Sequence, residues 1–227
     1  MALFLTLHPC DRPPVETPDM HPLRLSHPAM TLPTALLFSA IGAMGTSASA
    51  HTGIPVPSHS SFVGGLLHPL LGLDHLAAML AVGLWSALAA RRAGPGLLWG
   101  PMGFAALLLA GAALGLRGAA IPAVEPMVAA SLLPIGLLVV TRLRLPGWVA
   151  ALAMGALALF HGLAHGNELA GSASAWQTLA GLLLATALLH CAGLAAGWAL
   201  RARTPWLARA AGAGVALWGG ALLVQMA

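Results

Sequence analysis

A chain of 227 residues in which 59% are hydrophobic and 7% charged, with a mean hydropathy of +0.87, is too apolar for a water-soluble domain. Its net charge of +4 comes from arginine alone, and the absence of lysine excludes a GxxxxGK[ST] phosphate loop; no other ATPase signature is present. The isoelectric point of about 11.1 does not indicate nucleic acid, because the arginines are spread along the chain and mark membrane topology instead. The fold class that follows is all-α: a polytopic membrane protein with six transmembrane helices after a cleavable signal peptide.

Residues 1–29 are polar and rich in Pro and His, without periodicity, and read as a disordered leader or as upstream sequence that is never translated. Met20 and Met30 are alternative starts, and Met20 is favoured because Arg24 supplies a charged n-region. Residues 30–50 form the signal peptide: a short apolar core from Ala35 to Met44, then the small-residue site Ser47-Ala48-Ser49-Ala50. The alternative is an uncleaved first helix, for which that core is short against the roughly 20 residues of a span. Cleavage would leave His51 as the new N-terminus, offering an amine and an imidazole to one metal ion.

Residues 51–227 form the membrane domain. Its apolar segments are expected at 69–90, 97–116, 122–141, 146–166, 175–200 and 206–226. The stretch 61–67 is too short to span and is read as a lip or re-entrant turn at the outer face. With His51 outside, the cytoplasmic loops carry Arg91, Arg92, Arg142, Arg144, Arg201, Arg203 and the nearby Arg209, against Arg117 alone outside. Both mature termini then lie in the periplasm. Trp99, Trp148, Trp176, Trp198 and Trp206 fall near the interfaces, whereas Trp85 and Trp218 lie deeper and are assigned to packing. Gly111-Ala-Ala-Leu-Gly115 and Gly193-Leu-Ala-Ala-Gly197 are small-residue stripes for close helix packing. Cys10 and Cys191 are not expected to pair, and no CxxC suggests a thiolate site.

The chemistry begins in His68-Pro-Leu-Leu-Gly-Leu-Asp-His75. Two imidazoles and a carboxylate inside a membrane segment are costly unless they serve a purpose. Pro69 suits a first helical turn and biases His68 away from helix, so the first span is expected to start at Pro69 with His68 just outside it. On a continuous helix His68, Gly72, His75 and Met79 would share one stripe, with Asp74 about 100° round from His75. The mature chain retains three acids, Asp74, Glu125 and Glu168, all at the outer ends of segments.

The fourth segment closes on Phe160-His-Gly-Leu-Ala-His-Gly-Asn-Glu168, which places His161, His165 and Glu168 on one helical stripe. Two imidazoles one turn apart can hold one divalent ion, with Glu168 as an oxygen ligand or a lure. A lone histidine on a membrane helix is more often a hydrogen-bonded packing residue; an aligned set beside a second His/Asp cluster is not so easily dismissed. Glu125 is either a ligand or the cap of its helix, where the dipole favours an anion. His190, past the midplane, is either an exit-side station or a buried packing histidine. Met79 is more often packing than a ligand. Imidazole and carboxylate without thiolate suit Ni, Co, Zn or Cu(II) rather than Mg or Ca.

The run from Ala50-His-Thr-Gly through His68-Pro-Leu-Leu-Gly-Leu-Asp-His-Leu-Ala-Ala-Met-Leu-Ala-Val-Gly-Leu-Trp85 resembles the signature of the HupE/UreJ family of nickel permeases. So do Val124-Glu125, the His161–Glu168 motif and Ala185-Thr-Ala-Leu-Leu-His190. Ser86 stands where family members often have Ala. The resemblance implies inner-membrane uptake of Ni(II) or Co(II), supplying urease or hydrogenase maturation. It carries over His68, Asp74 and His75 as transport-critical, with His161, His165, Glu168, Glu125 and His190 as lesser candidates. The expected partners are a divalent transition-metal ion and the lipid bilayer, with no nucleic acid, no ATPase subunit and no prosthetic group. Protons compete for imidazole, so uptake should weaken as pH falls through about 6.5. The rival reading is an intramembrane Zn-dependent hydrolase using the same His/Asp cluster to activate water.

Overall fold

A computed structural model describes residues 61–226. The leader at 1–29, the signal segment at 30–50, its cleavage site and His51 lie outside the described residues. Within them the chain runs through α1 (Phe62–Leu71), α2 (Leu73–Ala89), a 3-10 turn (Pro95–Leu98), α3 (Trp99–Leu116), α4 (Val124–Thr141), α5 (Gly147–Glu168), α6 (Ala175–Arg203) and α7 (Pro205–Met226), and no strand occurs among them. Five helices are long and apolar enough to cross a membrane, and α1 and α2, bent by 84° at their junction, make a sixth if counted as one broken span. The chain is thus a multi-pass membrane protein.

Five of the six segments expected from hydropathy fall within a few residues of these helices. The first does not. Helix begins at Phe62, capped by Ser61, whose Oγ accepts the Gly64 N–H at 2.9 Å, so His68 and Pro69 both lie inside α1. The break comes three residues after the proline, at extended Gly72, whose N–H closes α1 on the His68 carbonyl and whose own carbonyl accepts the first bond of α2 from Leu76. The single stripe from His68 to Met79 is therefore corrected: His68 belongs to one helix and His75 to another. The stretch 61–67, read as a lip or re-entrant turn, lies within the capped helix α1, held by packing that a local pattern does not contain. Gly65 and Gly181 bring α1 against the start of α6 so closely that a Cβ at either would enter the other helix's backbone.

Elsewhere small residues set the helix pairs. Gly111 and Gly115 of α3 lie against α5, and Gly193 and Gly197 of α6 lie against α2, as the two stripes predicted. The core between them is dry and apolar, with Met79, Val82, Phe104, Leu108, Leu132 and Met154 essentially inaccessible. Trp99, Trp148, Trp176, Trp198 and Trp206 are exposed where an interface would be, Trp85 is buried and Trp218 half-buried.

Arg142, Arg144 and Arg201 gather at one end, while Arg117 closes α3 at the other. Arg144 Nε donates to the Ala89 carbonyl (3.1 Å), Arg201 Nη2 to the carbonyls of Ala90 (2.8 Å) and Arg91 (3.3 Å), and Arg142 Nη2 to that of Pro205 (3.0 Å). Trp85 Nε1 donates to Leu143 O at 3.0 Å. Guanidinium groups thus satisfy carbonyls left over at and just beyond the C-terminal end of α2, and add a second donor to the Pro205 carbonyl at the start of α7. A cavity of about 470 Å³ opens here, lined by Trp85, Ser86, Arg91, Arg92 and Arg144 among others. The histidines lie at the far end of α2.

Candidate metal centre at the histidine end

Three helix ends deliver the site. α1 brings His68 in its last turn, α2 brings Asp74 and His75 in its first, and α5 brings His161 and His165 in its last two. One ligand atom from each of His68, His75 and His165 can be chosen so that all three lie within 4.8 Å of one another. The ring centroids are 5.5 Å apart for His68 and His75, 4.7 Å for His68 and His165, and 5.0 Å for His75 and His165. His161 continues the cluster inward, 5.1 Å from His75. His68 is partly open to the outside, while His75, His161 and His165 are 5%, 0% and 4% exposed.

The acids stand behind the imidazoles. Asp74 Oδ1 lies 3.0 Å from His75 Nδ1, and Glu168 Oε2 lies 3.5 Å from His165 Nδ1, at the long limit of a hydrogen bond. A carboxylate only accepts, so each Nδ1 carries a proton, and in the neutral ring Nε2 keeps its lone pair. Both Nε2 atoms are buried and find no hydrogen-bond partner among the described residues. Each is a buried nitrogen to which an ion or a water can bind. A metal-binding histidine usually donates its other ring N–H to a carboxylate or carbonyl, and that is the pattern at His75 and His165.

Gly72 makes room for this. A Cβ there would stand 3.1 Å from Asp74 Oδ1 and 3.3 Å from His75 Nδ1, so a side chain at the break would press on the paired carboxylate and ring. On α5 the corresponding device is Gly162, between the two histidines, where a Cβ would collide with the Leu108 carbonyl of α3. That contact fixes the height of His161 and His165 against the bundle.

Two sequence candidates lie apart. Glu125 is exposed in the first turn of α4, a place that suits the capping alternative. His190 sits near the middle of α6, 3% exposed, with its Nε2 also lacking a partner among the described residues. Phe104 of α3 touches both His190 and the cluster, its ring 5.2 Å from His190 and 5.8 Å from His161. Phe104 carries no sequence signal, being one aromatic in an apolar helix. Met79 is fully buried, its sulfur 3.5 Å from a Thr186 hydroxyl that donates to Leu182 O at 2.8 Å, so packing describes it well. Cys191 is a free, exposed cysteine.

The model of the family described as HupE / UreJ protein matches residues 38–222. Protein HupE of Rhizobium leguminosarum bv. viciae is 39% identical over 184 residues, spanning 80% of this chain and 93% of that protein. No solved structure matches the chain.

Proposed function

The chain belongs to the HupE/UreJ family, and on that premise we propose that it is a permease taking up Ni(II), or Co(II), across the inner membrane. The observation that carries the proposal is the pair of buried imidazole nitrogens, on His75 and His165, each without a hydrogen-bond partner among the described residues and each aimed by a carboxylate on the opposite ring nitrogen. Neutral imidazole donors suit borderline cations such as Ni(II) and Co(II) and disfavour Mg(II) and Ca(II). His68, partly open, takes the hydrated ion first; His75 and His165 replace its water; His161 and then His190 lie further along. Asp74 and Glu168 orient the rings and neutralise part of the incoming charge. Phe104 touches both His161 and His190 and would have to turn aside for the ion to pass.

The positive-inside rule puts the arginine end in the cytoplasm and the histidine end outside. An inside-negative potential then drives the ion without nucleotide. A divalent cation gains about 4.6 kcal/mol per 100 mV, twice the value for one charge, or roughly a thousandfold accumulation. Delivery to urease or hydrogenase maturation is the destination that the family suggests. The hydrolase reading is less well supported, because imidazoles in succession along the bundle fit a path better than one fixed site.

The test is Ni(II) uptake into sealed liposomes holding the purified protein, under an inside-negative potential. Accumulation above protein-free liposomes is expected for the wild type, and its loss in His75→Ala. Zinc retained at one equivalent, with no flux of any divalent ion, would favour the hydrolase instead.

A further inference from the structure

Among the buried polar groups, one contact joins the cluster to a helix that supplies none of its histidines. Ser131 of α4, 1% exposed, places its Oγ 3.0 Å from His161 Nε2 and 2.7 Å from the Val128 carbonyl. A serine hydroxyl has one proton. The carbonyl of Val128 can only accept, so the Ser131 O–H is committed to it. The lone pairs of Oγ must then accept from His161, which puts the ring proton on Nε2. The remaining nitrogen, Nδ1, is left with a lone pair, is fully buried, and has no partner among the described residues. The opposite tautomer would bury an N–H at Nδ1 with no acceptor among the described residues and would draw the hydroxyl proton away from the 2.7 Å bond to Val128.

From this geometry we infer that Ser131 is a positioning residue that fixes His161 in its Nε2–H form and so reserves Nδ1 as a metal donor inward of His75. The inference rests on the metal-transport reading for its purpose, but the tautomer itself does not. It completes a pattern across three helices: His75 is set by Asp74, His165 by Glu168 and His161 by Ser131. The third partner differs in kind. A hydroxyl turns the ring without adding negative charge, and the ring it turns is bracketed by His75 at 5.1 Å and Phe104 at 5.8 Å. A neutral partner there lets the innermost ring of the cluster hold the ion less firmly than the carboxylate-backed pair does, as release toward Phe104 requires.

The experiment uses the full chain in lipid bilayers, with 15N-labelled histidine, first without metal. The His161 resonances are identified by their loss in His161→Gln. Protonated Nε2 and bare Nδ1 are expected in the wild type and in Ser131→Thr, which keeps the hydroxyl. Ser131→Ala should show the other tautomer or a mixture. Ni(II) affinity, read by calorimetry on the same samples, should fall at least about tenfold in Ser131→Ala and recover in Ser131→Thr. A bare Nε2 in the wild type, or an unchanged His161 in Ser131→Ala, would overturn the inference. So would wild-type affinity in Ser131→Ala beside a weakened His75→Ala. No Ni(II) binding by the wild type would sink the transport reading and the purpose given to the tautomer, while the nitrogen spectrum would still decide the tautomer.

Discussion

The two histidine pairs of this protein are chemically alike and mechanically different. His161 and His165 stand one turn apart on an unbroken helix whose height is set by backbone contact at Gly162. His68 and His75 come from two helices bent by 84° about Gly72, and they meet because the chain turns there. One pair therefore stands on continuous helix, and the other spans a bend, although both are clamped to neighbouring helices by glycine contacts. The difference teaches that one donor set can be assembled by helical periodicity and by a turn of the chain together.

The strongest way to break that comparison is to remove the residue of one pair that touches both members of the other. His75 is in ring contact with His68, His161 and His165, so His75→Ala should reduce Ni(II) uptake to the background of protein-free liposomes. Uptake that survived at half the wild-type rate would mean the two pairs work separately. Next in size are the orienting acids. Asp74→Asn keeps the shape but lets an amide donor face the His75 ring, and should cost about 10–100-fold in Ni(II) affinity by calorimetry. Glu168→Gln, acting over 3.5 Å from a carboxylate that is 38% exposed, should cost about threefold or less.

The two glycines sharpen the contrast between continuous helix and bend. Gly162→Ala drives a methyl into the α3 backbone and should destabilise the fold by about 1–3 kcal/mol, seen as a lower Tm in detergent. Gly72→Ala meets only the Asp74 and His75 side chains, which can give way. It should leave Tm near wild type and slow uptake by about threefold to tenfold through the displaced pair. Equal Tm losses in the two variants would contradict the division.

The sequence made much of this legible, for identifiable reasons. Five spans, the tryptophan belt and the arginine end follow from hydropathy and charge, which act locally and survive any packing. The stripe of His161, His165 and Glu168 also held, because α5 is unbroken. The stripe through His68 and His75 did not. Proline at 69 is a strong local signal for a helix start, but α1 is held by Gly65 and Gly181, more than a hundred residues apart in the chain. His68 and His75 are neighbours as expected, by a bend and not by helical periodicity. The Ser131–His161 contact spans 30 residues between two helices, and a serine in an apolar segment ordinarily satisfies itself on its own helix, as Ser131 also does. The roles of Asp74 and Glu168 behind their rings likewise needed coordinates, since spacing alone cannot distinguish a ligand from the group that orients one.

The account stands on imidazole nitrogens from two sides of the bundle meeting on one ion. X-ray absorption at the nickel edge of the Ni(II)-loaded protein reads that directly. The outer-shell scattering of several imidazole rings is expected, reduced in His75→Ala and again in His75→Ala with His165→Ala. A shell of oxygen alone, unchanged by either substitution, would contradict it.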